Sequence, residues 1–312
     1  LDQSPEFQQI NFKADEYNTN IFYDIYTSLS FSSIKRSVGA VDGEKGVRSS
    51  LTVSSSVSEG KFYPKDKVAC RKELNLNPDD FIVFNGNRNQ ARKRIDITIE
   101  AFARFAVDKP DTKLYLHMGK KDQGWDVMQL FGREMGKQGI DANNRIIMTA
   151  DTPAPPSVPV ELLNTIYNCA DVGINTCKGE GHGLVNHEHG SCRVAQIVPD
   201  HTSLKEIFQD TGEMIRSDFI DVDMNYNREM PCPSAEHLAE ILDSYYHDRK
   251  LLQDVADRCY DRATDTKYQW ATVAEQFNEQ FREVLNKPPE PPEIQVLPRK
   301  SRRKKNKNKV AA

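Results

Sequence analysis

Two glutamates eight positions apart, Glu180 and Glu188, stand in the segment KGEGHGLVNHEHGSCRVAQIVPDHTSLKE (178–206), where Gly181 and Gly183 bracket His182. A glycine-x-glycine turn lets backbone approach a ligand closely, and the first amides of a helix opening there, near Gly183 and Leu184, have no internal partners. Such a helix start is built to meet an anion such as a diphosphate. Each carboxylate offers acceptor oxygens that match a ribose diol or sugar hydroxyls but would repel phosphate, so the two acids belong beside the amides. Glu188 falls about one turn into the expected helix, so the spacing allows both acids to face one pocket. Read blandly, each is a surface glutamate.

These residues need strands and helices to position them. Just upstream, CADVGINT (169–176) reads as a short buried strand, which puts the glycine turn at a strand's carboxyl end, where open parallel sheets bind ligands. Along the middle of the chain the runs FIVFNG, KLYLHMG, RIIMTA, VGINTC and VAQIVPD, with a weak EMIR, alternate with amphipathic stretches such as IDITIEAFARFA and WDVMQLFGREMGKQG. Short apolar runs separated by helical patterns imply an α/β fold, a Rossmann-like parallel sheet with helices on both faces. After about Ser234 the pattern is helical to the end of the ordered-looking sequence, and no internal repeat is evident.

The segment E-G-H-G-L-V-N-H-E, followed by a helix and the strand VAQIVPD, resembles the Glu-x7-Glu signature of glycosyltransferase family 4. FIVFNGNRNQARKRIDITIEAFARFA (81–106) is similar to that family's first strand, phosphate loop and first helix of the donor domain, with Arg88 and Lys93 at the matching basic positions. VSSSVSEGKFYPKDKVACRKELNL (53–76) looks like the entry to that domain and YQWATVAEQFNEQFREVL (268–285) like its closing helix, so the matches run in order over roughly residues 50 to 285. The resemblance implies the donor half of a GT-B fold and sugar transfer from a nucleoside diphosphate sugar to a glycan, lipid or protein acceptor, with retention of anomeric configuration. It places Arg88, Lys93 and Glu180 at the chemistry, and Gly181, His182, Gly183, Leu184 and Glu188 on the donor, Glu188 at the ribose. It requires no metal and no cofactor besides the donor.

Departures from the family pattern are equally specific. His182 stands where an aromatic is usual, Arg193 and Ala195 replace a glycine and a proline, and Thr202 and Ser203 replace a glycine pair. The family's acceptor-side histidine has no counterpart. Residues 1–60 are too few for an acceptor domain and read as a remnant of one plus a linker, preceding a donor-binding unit over 61–286. The alternative reading is therefore a noncatalytic nucleotide-sugar-binding or scaffolding module.

Other chemistries fit less well. His182, His187 and His189 cluster near the glutamates, but positions i and i+2 of a helix do not share a face, so convergent metal ligands would need irregular backbone. No Gly-x-Gly-x-x-Gly follows the first strand with an acid about twenty residues on, which argues against a dinucleotide-dependent oxidoreductase. Six cysteines without Cys-x-x-Cys pairing suggest reduced, buried thiols in a cytoplasmic or cytosol-facing chain.

The 312 residues carry a net charge of −4, yet residues 299–309 hold eight Lys or Arg and no acid, leaving −12 for the rest. A proline-rich spacer, KPPEPPEIQVLP (287–298), sets this tail apart, so within 287–312 the spacer is expected to be extended and largely unstructured and the basic tail disordered. Its basic run suits an anionic membrane surface, placing the chain peripherally at a membrane, or nucleic acid, an import signal or simple solubility.

Overall fold

A computed structural model describes residues 60–223 and 227–286 of the chain. The expected upstream remnant and the spacer with its basic tail lie outside these described residues, Gly60 excepted. Helix α1 (Lys67–Glu73) leads into six strands: β1 (Phe81–Asn85), β2 (Thr112–Leu116), β3 (Ile146–Met148), β4 (Val172–Ile174), β5 (Ala195–Pro199) and β6 (Glu213–Ile215). All five strand pairings are parallel, in the order β3-β2-β1-β4-β5-β6. Crossovers are made by α2 (Ile95–Phe105), α3 (Val127–Lys137), α4 (Val160–Cys169), α5 (Leu184–Ser191) and α6 (Thr202–Phe208). The chain closes with α7 (Ala235–His247), α8 (Arg249–Ala263) and α9 (Trp270–Asn286).

Period-two alternation of side chains explains why the central strands read as unbroken apolar runs. In β1, Phe81 and Val83 enter one core cluster with Ile99, Phe102, Leu238 and Leu242, while Ile82 and Phe84 enter the other with Tyr115, Ile166 and Tyr167. The sheet is thus buried on both faces, as the alternating pattern required. Because β1 and β4 are neighbours with helices departing to opposite faces, a crevice opens outside their carboxyl ends.

One element had no counterpart in the sequence reading. Strands β7 (Ser217–Asp223) and β8 (Arg228–Pro233) form an antiparallel hairpin that leaves Phe219, Ile220 and Val222 exposed. It is tied back to the sheet by an ion pair from Lys178 to Asp221 at 2.6 Å and by Arg94 Nη1 donating to Cys232 Sγ at 3.0 Å.

At the amino ends of the strands, Asp171 fastens three elements together. Its carboxylate accepts from Arg71 at 2.7 Å, from Lys67 at 2.8 Å and from the Ile82 amide at 2.7 Å. Arg71 also donates to the carbonyls of Cys169 and Pro78, so each nitrogen of this buried guanidinium has a partner. Burial pushes the Asp171 carboxyl up, but the two cations and the amide outweigh it and hold the group below its usual value. Replacing Asp171 with Ala leaves Arg71 buried without its counter-charge and is expected to cost about 3–5 kcal/mol, read by urea unfolding at pH 7. The wild-type contribution is present above the unfolded value of 3.8 and is lost as pH falls through the lower folded value. The acid dependence of the two proteins should therefore converge.

Candidate functional site

The loop after β1 carries the cations and the loop after β4 carries the first glutamate. A short 3₁₀ turn (Ala91–Lys93), followed by Arg94 in a left-handed conformation, aims Lys93 across the crevice. There the Lys93 ammonium donates to Glu180 Oε1, and to Asn87 Oδ1 at 3.0 Å. Burial pulls Lys93 down to about 8, Cys177 raises it and Arg92 lowers it further. The Glu180 carboxylate in contact favours the charged form, so Lys93 is a cation at neutral pH.

Arg92, which the sequence reading passed over, reaches the same place. Its guanidinium donates to the Gly179 carbonyl and lies 3.4 Å from Glu180 Oε2. Glu180 is further held by its backbone: its amide donates to Thr202 Oγ1 at 3.2 Å, and its carbonyl accepts from Ser203 Oγ at 2.9 Å. Thr202 has φ +56°, uncommon for a β-branched residue, at the start of α6. The two side chains standing where the resembled family has glycines thus clamp the first glutamate.

Arg88 is placed differently. It forms a two-pronged pair with Asp122 on the loop after β2, at 2.7 and 3.1 Å, and remains half exposed. The same loop is knitted to β1 by Asn89, whose amide donates to the carbonyls of Gly119 and Trp125 and whose oxygen accepts from the Trp125 amide. Beneath the cations lies a buried amide floor. Asn85 Oδ1 accepts from the backbone and side chain of Asn87, while Asn85 Nδ2 donates to Thr98, which meets Thr176 at 2.8 Å. Asn175, Asn186 and Gln196 form a second such chain.

Glycines bring the walls together. A Cβ on Gly86 would sit 2.8 Å from the Phe84 ring and 3.1 Å from Val185 on α5. Gly183 has φ +81°, and a Cβ there would sit 2.4 Å from Leu204. It starts α5 without any side-chain cap, so the amides at Leu184 and Val185 are left for a ligand or solvent; Leu184 is exposed.

Glu188 lies in the second turn of α5, as its position predicts, and Oε2 accepts from the Tyr167 hydroxyl at 3.0 Å. Burial raises its carboxyl to about 7, with the Tyr167 hydrogen bond opposing. Among the described residues Glu180 and Glu188 share no hydrogen-bond partner. The three histidines are built into the core: His187 Nε2 faces the Ala263 carbonyl at 2.9 Å and must donate to it, so His187 Nδ1 accepts from His182 Nε2 at 2.9 Å. His189 Nε2 donates to the Tyr167 carbonyl at 3.0 Å. Burial lowers them to about 3, 4 and 3 for His182, His187 and His189, so all are neutral. His182, expected on the donor, therefore commits Nε2 to His187. No group of three or more His, Cys, Asp or Glu among the described residues is arranged to hold a metal ion.

The fold is one Rossmann-like half of the GT-B architecture. Sucrose-phosphate synthase from Thermosynechococcus elongatus matches 75% of this chain over 52% of its own, with TM-score 0.57 and 22% identity. The C-terminal domain of a glycosyl transferase group 1 family protein (LpcC) from Francisella tularensis is covered over 99% of its length, with TM-score 0.54 and 19% identity. Anabaena HepE, solved with UDP and glucose, matches 73% of this chain over 53% of its own, with TM-score 0.53 and 15% identity. In sequence the chain is 30% identical over 141 residues to D-inositol 3-phosphate glycosyltransferase of Segniliparus rotundus, covering 45% of this chain and 29% of that protein. It is 29% identical over 165 residues to the protein of the same name in Geodermatophilus obscurus, covering 52% of this chain and 35% of that protein. The chain thus spans about a third of the length of these curated relatives. No protein-family model matches it.

The raised Glu188 carboxyl has a signature in stability. The folded state retains its proton between the ordinary value of 4.5 and about 7, so the wild type loses stability relative to Glu188→Gln as pH rises through that window. The stability difference should grow by roughly 3 kcal/mol and then level off above pH 7, as read by urea unfolding of both proteins across the range.

Proposed function

We propose that this chain is the donor-binding part of a glycosyltransferase of the family 4 kind, transferring a sugar from a nucleoside diphosphate sugar to a glycan, lipid or protein acceptor with retention. The observation that carries this reading is the convergence of Lys93, Glu180 and the uncapped start of α5 at the β1/β4 crevice. That two curated relatives are D-inositol 3-phosphate glycosyltransferases supports the same class, and HepE was solved with UDP.

As the bond from the anomeric carbon to the diphosphate breaks, its electron pair goes to the leaving oxygen, and negative charge grows on the phosphates. In this reading Lys93 and Arg92 face that charge directly, and the α5 amides add fixed partial positive charge. Arg88 contributes its planar fork from the rim, sharing Asp122 with the phosphate or exchanging it. Glu180 keeps Lys93 in place before the donor arrives and lies beside the donor sugar afterwards. Glu188 takes the ribose hydroxyls. Charge neutralisation by these groups needs no metal ion. The basic run over 299–309 is proposed to bring the chain to an anionic membrane surface or to nucleic acid, on the cytosolic side. No helix among the described residues is long and apolar enough to cross a membrane.

The test is thermal unfolding of the chain with UDP-, GDP- and ADP-sugars, with Glu188→Ala as control. The cognate donor at about a hundred times its dissociation constant should stabilise by roughly 2.7 kcal/mol, and the variant should lose that shift. A cooperative melt that no nucleotide moves would overturn the reading. Where transfer is measured, Lys93→Ala should cost about 100-fold in rate.

A further inference from the structure

We propose that Tyr167 is a positioning residue for Glu188, whose hydroxyl occupies one carboxylate oxygen so that the other is presented to a ribose hydroxyl, making the site selective for ribonucleotides over 2′-deoxyribonucleotides. This rests on the donor-binding reading above. The Tyr167 hydroxyl donates to Glu188 Oε2 at 3.0 Å, and no described residue donates to Oε1. Tyr167 cannot easily turn elsewhere. Its ring is stacked on His189 at 5.2 Å and packed against Phe62 at 5.3 Å and Phe84 at 5.5 Å, and its carbonyl accepts from His189 Nε2 at 3.0 Å. The aromatic cage therefore fixes the hydroxyl, and the hydroxyl fixes the carboxylate. One acid oxygen already accepts from Tyr167 while the other is open as an acceptor, which matches a hydroxyl donor and repels phosphate.

The titratable groups around Glu188 are Tyr167 on α4, Cys192 beyond the end of α5 and His189 on α5. Burial pushes the first two well up and His189 down to about 3, so all three are neutral near pH 7. Only Glu188 itself, at about 7, changes charge there, and the Tyr167 hydrogen bond favours its ionised form. Removing that bond must therefore raise the Glu188 midpoint. A site whose acceptor has been oriented for a hydroxyl loses affinity for an analogue lacking it, because the acceptor is left unpaired.

The experiment uses the full chain, wild type and Tyr167→Phe, which keeps the ring and its packing. The Glu188 carboxyl is titrated by carbon NMR without ligand, its signal assigned with Glu188→Gln. Affinities for UDP, GDP and ADP and their 2′-deoxy counterparts are then measured by calorimetry from pH 6 to pH 8.5. We expect the variant's midpoint to move to higher pH and the rise of affinity with pH to follow it. The wild type should favour its preferred ribonucleotide over the deoxy form by about tenfold or more, and the variant should lose most of that preference. An unmoved midpoint would show that Tyr167 only packs, and a moved midpoint with an unchanged ribose preference would show that the preference does not depend on the Tyr167 contact. Either overturns the proposal while leaving donor binding intact. A wild type that binds none of the six nucleotides overturns donor binding and the ribose role together.

Discussion

The contact between Lys93 and Glu180 is the interaction around which this site is organised. It joins the loop after β1 to the loop after β4, the two segments that a parallel sheet of this strand order leaves facing each other. A buried ammonium without a counter-charge is costly, so the two loops cannot separate while the crevice is dry. The buried asparagines below serve the same end: Asn87 bridges Lys93 to Asn85, and Asn85 ties to Thr98 on α2. Each is satisfied, which is what permits so many amides beneath a binding surface.

Environment assigns different states to residues that composition alone would treat alike. Three histidines sit beside the glutamates, yet each is neutral because its ring is buried, and for His187 and His189 burial outweighs the bond to a backbone carbonyl, which favours the charged ring. That leaves Lys93 as the inner cation of the crevice and Glu188 as the group poised near neutrality. Acids and bases whose environments push them apart in this way can hold distinct roles in one small crevice. The clamp of Thr202 and Ser203 on the Glu180 backbone shows how side chains are accommodated at positions where the resembled family has glycines, since both hydroxyls find partners on the residue they would otherwise crowd.

Much of the fold was legible because fully buried parallel strands read as apolar runs. All six sheet strands lie where such runs stand, and Gly183 opens α5 as the glycine turn implied. The β7–β8 hairpin was hidden because β8 carries two prolines, which argue against a strand, and because β7 interleaves its exposed apolar residues with acids. Lys93 and the two glutamates were visible as residue types at a spacing. Arg92 was not separable from its basic neighbours, because only the 3₁₀ turn decides which of them crosses the crevice. Tyr167 reads as an ordinary core aromatic, and nothing in its periodicity tells that its hydroxyl meets an acid 21 positions later. The His187 bond to a carbonyl 76 residues away is equally non-local.

Helix caps divide the molecule between holding itself together and meeting a ligand. Asp66, Asp126, Ser234 and Asp248 each cap a helix by accepting an amide three residues on, and Asp171 locks the amino ends of β1 and β4. By contrast α2, α4, α5 and α6 have no side-chain cap, and three of these, α2, α5 and α6, begin beside the crevice after β1, β4 and β5. Leaving those amides uncapped forgoes about 1 kcal/mol per helix, a cost the Asp171 cluster and the two-sided core can offset. The same amides are then available to an anion. The Asp171 cluster thus holds the amino ends of the strands while the uncapped amides stand at the carboxyl ends, so that residues in the crevice can differ from the pattern of the resembled family, as Thr202 and Ser203 do, without loosening the sheet that presents them.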